Sequence, residues 1–173
     1  MIGSRPILVL GYGNPSRGDD ALGPMFVERL DEEQDAGRLP PNFDTLTDFQ
    51  LQIEHALDLQ GRAVVLFVDA AADLDAAHIL RPLTPARDES YSTHAISPGA
   101  VLAVYEQVCA GPLPPAFLLG LKGISFELGQ GLSETAREAL EQGLAAIRPL
   151  LAQADPAAWR AALHSAPHPP QPC

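Results

Sequence analysis

The chain has 173 residues, 46% of them hydrophobic and 19% charged, which fits one domain with a sizeable core. Its formal net charge is −11 and Lys122 is the only lysine, so a cation-rich groove for phosphates is not expected and nucleic acid is a poor candidate partner. Two cysteines, Cys109 and Cys173, make neither a disulfide framework nor a zinc spacing, and the early apolar run Ile7 to Leu10 is too short for a signal or membrane segment. A cytoplasmic, soluble protein with no membrane partner is the expectation, with residues 1–153 as a single α/β domain and 154–173 as a short helix and proline-rich tail.

Pro6 to Tyr12 is a continuous apolar stretch ending in glycine and tyrosine, the pattern of a strand buried on both faces. After the polar loop Gly13 to Asp19, Leu22, Met25, Phe26, Val27 and Leu30 recur near helical spacing, and Gly37, Pro40 and Pro41 stop that helix. Phe43 to Phe49 has the threonines and alternation of a second strand, and Leu51 to Leu59 reads as a modest helix ending at Gly61. Ala63 to Asp69 is a third, unbroken apolar strand.

His78 to Leu83 is a fourth strand, separated from the third only by Ala70 to Ala77. A parallel crossover needs a dozen or more residues, so this strand is predicted to run antiparallel. Thr84 to Ile96 shows no periodicity and reads as a long loop. Ser97 is a good N-cap with Pro98 behind it, followed by the stripe Val101, Leu102, Tyr105, Val108 and Cys109. Phe117 to Leu121 is a fifth strand, and Leu132 to Leu151 a final long helix that Pro149 kinks or ends. The segment around Trp159 reads as a short helix, and His164 to Cys173 as a frayed tail.

The alternation implies three layers, with helices on both faces of a mostly parallel five-stranded sheet. Ligands in such sheets collect at the carboxyl ends of the strands. The first strand delivers Gly11-Tyr-Gly-Asn-Pro-Ser-Arg-Gly-Asp-Asp20, placing two acids at the start of a helix, where the dipole favours negative charge. The third delivers Asp69. His94 lies in the long loop, and the stretch from Leu83 can span up to roughly 36 Å at ~3.3 Å per residue, enough to return it to the same edge.

Two carboxylates and an imidazole are a donor set for a borderline divalent metal, with positions left open for a substrate's own ligands. Each member has a plainer alternative. Asp19 or Asp20 equally fits a cap of the first helix, Asp69 a bond to loop amides, and His94 an ordinary surface residue. His55, His78, His164 and His168 receive only the surface reading. A dinucleotide fingerprint fails because Ser16 stands where the third glycine belongs and the loop ends in acids. No phosphate-loop, nucleophile-elbow or HExxH motif is present.

Ile7-Leu-Val-Leu-Gly-Tyr-Gly-Asn14 followed by Gly18-Asp-Asp-Ala-Leu-Gly23 resembles the N-terminal signature of the [NiFe] hydrogenase maturation proteases. Val68-Asp69-Ala70, Ser92-Thr-His94 and Ile124 to Ser133, with Glu127, Gly129, Gly131 and Leu132, continue the likeness, which covers about residues 5 to 150. It implies a mixed sheet with the fourth strand antiparallel, and an endopeptidase, aspartic-type by family classification. Such an enzyme removes the C-terminal extension of a hydrogenase large-subunit precursor after nickel insertion. On this resemblance Asp20, Asp69 and His94 are the nickel ligands and catalytic set, Gly11, Gly13, Asn14 and Asp19 the supporting loop, and Asp19 a residue that orients water. Nickel is then carried by the substrate, no organic cofactor is resident, and the protein is a monomer. The alternative is a non-enzymatic chaperone that binds metal or precursor with the same trio.

Two departures stand out. Many relatives carry an Asp-Gly-Gly-Thr type segment where this chain reads Asp48-Phe-Gln-Leu-Gln52, and His94 is followed by Ala95-Ile-Ser-Pro98 in place of a Gln-containing helix start. Both read as marks of a different substrate clade, and a cytoplasmic NAD-reducing hydrogenase is the expected client.

Overall fold

Long apolar runs become a sheet sealed on both faces. The computed structural model describes residues 4–87 and 96–164. In chain order they form β1 (Ile7–Tyr12), a 3-10 turn (Gly18–Ala21), α1 (Leu22–Asp35), β2 (Phe43–Asp48), α2 (His55–Asp58), β3 (Val64–Ala71), β4 (His78–Leu83), α3 (Pro98–Val108), β5 (Ala116–Lys122), α4 (Glu134–Leu151) and α5 (Pro156–His164).

The sheet order is β2-β1-β3-β5-β4. β1, β2, β3 and β5 run parallel, and β4 lies antiparallel on β5, with His78 opposite Leu121 and Leu83 opposite Ala116. The short link into β4 leaves no room for a crossover helix, so the chain turns back. Because strand side chains alternate, Ile7, Val9, Leu66, Val68, Phe117 and Leu119 face α1 and α4, while Leu8, Leu10, Val65, Phe67 and Leu118 face α2 and α3. Every residue from Ile7 to Leu10 and from Val64 to Val68 is fully buried, as parallel strands between two helical layers require.

Several elements differ from the sequence reading. The helix over 51–59 shrinks to His55–Asp58, because its flanks close through tight i→i−3 bonds such as His55 N–H to the Gln52 carbonyl. Leu51, Ala56 and Leu59 are the buried residues there while Ile53 and Leu57 face solvent, so burial follows no single helical stripe. β3 runs two residues past Asp69, because β5 extends to Lys122 and pairs with it. The last helix starts at Glu134, with Ser133 accepting from the Ala136 amide as its cap. Pro149 sits within its last turn, and the helix continues to Leu151.

Trp159 on α5 is fully buried, lies 5.6 Å from the Phe117 ring between centroids, and donates its indole N–H to the Gln153 carbonyl. The packed body therefore runs on beyond residue 153. No helix among the described residues is long and apolar enough to cross a membrane.

Candidate functional site

β1 passes the chain outward to β2 on one side, and β3 takes the place on its other side. This reversal opens a crevice at the carboxyl ends of β1 and β3, the usual ligand position in such sheets. Gly11 and Val68 form the last rung between the two strands. Asp69 is the next residue, still paired with Gly120 of β5 but free of β1. The sequence reading placed it at the strand's end; it is instead an interior strand residue lying one step past the shorter neighbour.

The turn from β1 into α1 needs its glycines. A Cβ on Gly11 would overlap the Gly23 carbonyl and lie 2.8 Å from Val27 Cγ2, so only glycine lets α1 sit this close to β1. Gly13 has φ +145°, a conformation glycine alone adopts freely, and a Cβ there would overlap the Asp20 backbone oxygen. Asn14 donates its backbone N–H to Asp20 Oδ2 at 2.7 Å, and its side-chain oxygen accepts from the Ser16 amide at 2.9 Å. The loop is thus folded around the Asp20 carboxylate.

Adjacent in sequence, the two acids have separate fates. Asp19 is fully buried. Its Oδ1 accepts from the Ser133 amide at 2.8 Å, and its Oδ2 from the Ile124 and Ser125 amides at 2.8 and 3.1 Å and from the Ser133 hydroxyl at 2.7 Å. Burial alone would raise its pKa, yet these donors hold the carboxyl below the ordinary aspartate value. Asp19 therefore fastens the β5–α4 loop, with three donors on Oδ2 and one on Oδ1. Neither acid caps α1 with its side chain; the residue at the cap position is Ala21.

Asp20 is partly exposed at the rim. Its charge is close enough to act on Asp69, whose pKa is pushed up to about 6, first by burial and then by Asp20. Bonds from the Tyr12 hydroxyl and the Ala70 backbone restrain that rise. Burial, followed by the Asp69 charge, pushes the Tyr12 phenol above its ordinary value, so it stays protonated as a donor. Two carboxylates that repel each other in a half-buried crevice are a natural place for a cation. Carboxylate oxygens suit a divalent cation.

The structure sets Asp20 close enough to Asp69 to act on it by charge, with Gly11, Gly13 and Asn14 at the start of the turn that carries Asp20. His94, and the loop residues 88–95 around it, lie outside the described residues, and among the described residues no group of three metal-binding side chains forms. Two functional positions escaped the sequence reading. Ser133 both caps α4 and closes the Asp19 clamp, and Tyr12 stands beside Asp69; the second was recoverable, since strand alternation puts both on one face once β1 and β3 are paired.

A cleft of about 270 Å³ opens beside the turn, lined by Gly13, Pro15, Pro24, Thr47, Asp48 and Phe49. A larger cavity of about 410 Å³ near the amino end of β2 is lined by Arg5, Asp44, Asp58 and Arg62 among others. There Arg5 and Arg62 both pair with Asp44, and neither Asp20 nor Asp69 lines either opening.

Neither a protein-family model nor a curated protein matches the chain. Solved structures do. The hydrogenase maturating endopeptidase HybD from E. coli is 27% identical, with 83% of this chain and 93% of that chain covered and a TM-score of 0.61. The [NiFe] hydrogenase maturation protease HycI from Thermococcus kodakarensis KOD1 is 25% identical over 88% of this chain and 96% of that one, with a TM-score of 0.64. The hydrogenase 2 maturation peptidase from Thaumarchaeota archaeon SCGC_AB-539-E09 shares the fold at 22% identity, 85% and 98% coverage and a TM-score of 0.60.

Proposed function

We propose that this chain, a structural relative of the hydrogenase maturation endopeptidases, is itself an endopeptidase that trims the C-terminal extension of a [NiFe] hydrogenase large-subunit precursor once nickel is in place. The observation that carries the reading is the pairing of Asp20 and Asp69 at the β1/β3 crevice, where the charge of one raises the pKa of the other.

In this reading the client arrives with nickel already bound, and Asp20, Asp69 and His94 complete its coordination for as long as the client stays docked. The ion supplies a positive centre that fixes the neighbouring peptide bond in one register. Holding a bond in place removes much of the entropic part of the barrier. Asp20 is held for this by the Asn14 amide, and Asp69 lies beside the Tyr12 side chain of the neighbouring strand. The cleft from Gly13 to Phe49 gives the client's chain room beside the β1–α1 turn. Nickel belongs to the substrate, and no organic cofactor takes part. We take the protein to act as a monomer in the cytoplasm.

The test is to incubate purified protein with nickel-loaded precursor and follow loss of the C-terminal peptide by mass spectrometry. We expect cleavage by the parent, and intact precursor with folded Asp20→Asn, Asp69→Asn and His94→Ala variants. Tight binding of the precursor without cleavage by the parent would favour the chaperone reading. Full cleavage by all three variants would remove the site.

A further inference from the structure

Tyr12 is the last residue of β1, and the rung Gly11 to Val68 places it beside Asp69 on the adjacent parallel strand. Alternation sends both side chains to the same face of the sheet, the one covered by α2 and α3. The Tyr12 ring is half-buried and packs on that core with Leu10, Phe67 and Leu46 as neighbours in the cluster. Register and alternation set this ring next to the Asp69 side chain, and the two groups are close enough to shift each other's titration.

A carboxylate on a strand can swing about its side-chain bonds, and each orientation presents different lone pairs to an ion. Here the neighbour within reach of the carboxylate is a hydroxyl whose ring is packed against the core. A donor behind a metal-binding carboxylate fixes its orientation, and loss of such a partner characteristically weakens metal binding by about 10- to 100-fold. Phenylalanine would fill the same core space and offer no proton.

We propose that Tyr12 is a positioning residue for the metal-recognition site: through its hydroxyl it holds Asp69 in the orientation that meets the client's nickel beside Asp20. This rests on the function proposed above. Tyr12 itself touches neither metal nor peptide.

The experiment compares the full-length parent with Tyr12→Phe, Tyr12→Leu and Asp69→Asn, titrating each with nickel(II) chloride and recording its thermal midpoint. We expect Tyr12→Phe to keep the parent's midpoint within a few degrees while its dissociation constant for nickel(II) rises about 10-fold or more. Tyr12→Leu should lose the same affinity and also melt earlier, because it loses the ring. With nickel-loaded precursor, Tyr12→Phe should show the defect in KM, with kcat at saturation changed less. A Tyr12→Phe protein that binds nickel(II) as tightly as the parent, while Asp69→Asn does not, would overturn the proposal and leave the site reading intact. Undiminished binding by Asp69→Asn as well would overturn the site reading and this proposal with it.

Discussion

Replacing Asp19 with asparagine should cost the fold far more than the same change at its neighbour. Four donors converge on the Asp19 carboxylate, three amides and the Ser133 hydroxyl, and it is fully buried. An asparagine keeps one carbonyl oxygen that accepts about two bonds and turns an amino group toward the remaining donors. Two bonds to a charged acceptor are therefore lost. At the lower end of their usual worth, ~1.5 kcal/mol each, the loss is about 3 kcal/mol. Asp20 accepts the Asn14 amide and keeps solvent contact, so Asp20→Asn should cost ~1 kcal/mol or less. Denaturant unfolding monitored by circular dichroism measures both, and hydrogen exchange adds a local readout, because the Ile124, Ser125 and Ser133 amides should lose protection in Asp19→Asn alone. Equal midpoints for the two variants, with those three amides still protected, would refute the clamp.

Three further outcomes follow from the packing and the charges. The folded pKa of Asp69, about 6, lies above its unfolded value, so the folded state holds the extra proton. The resulting penalty is absent below about pH 4, grows as pH rises, and is complete above about pH 6. Two units correspond to at most ~3 kcal/mol, and less because Asp69 keeps some water contact. Asp69→Asn should flatten the decline in stability across that window, and parallel pH profiles for parent and variant would contradict the assignment. Trp159→Ala should cost roughly 3–5 kcal/mol in denaturant unfolding, since the ring is fully buried against Phe117; a cost below ~1 kcal/mol would mean that α5 is peripheral. Gly11→Ala drives a methyl into the Gly23 carbonyl, so it should lower the thermal midpoint by ten degrees or more and loosen Asp20. An unchanged midpoint would show that α1 can shift away freely.

Much of the architecture was legible because its causes are local. Ile7 to Leu10 and Val64 to Val68 are unbroken apolar runs, and only a strand covered on both faces uses them fully. The orientation of β4 followed from chain length, since Ala70 to Ala77 cannot cross the sheet. The extent of β3 was not legible, because whether Ala70 and Ala71 stay in the strand depends on Leu121 and Lys122 of β5. The helix drawn over 51–59 failed for a similar reason. Its buried residues serve the core, and tight turns reach the same burial with fewer helical bonds.

Site residues divide the same way. Asp20 and Asp69 became candidates by asking what emerges at the carboxyl ends of the strands. The part played by Asp19 was hidden, because its partners lie 105 to 114 positions away and an acid before a helix looks locally like a cap. Tyr12 reads as one more apolar strand residue until its register with β3 is known.

The neighbouring acids also differ in what they allow over evolutionary time. The clamp made by the first ties two distant connections together and must be kept whole for the protein to persist. The second contributes little to persistence, so drift and selection can test other side chains there without first rescuing the scaffold. Position 20 can change by a single codon with the scaffold intact, whereas any change at position 19 would have to arrive with a remodelled loop.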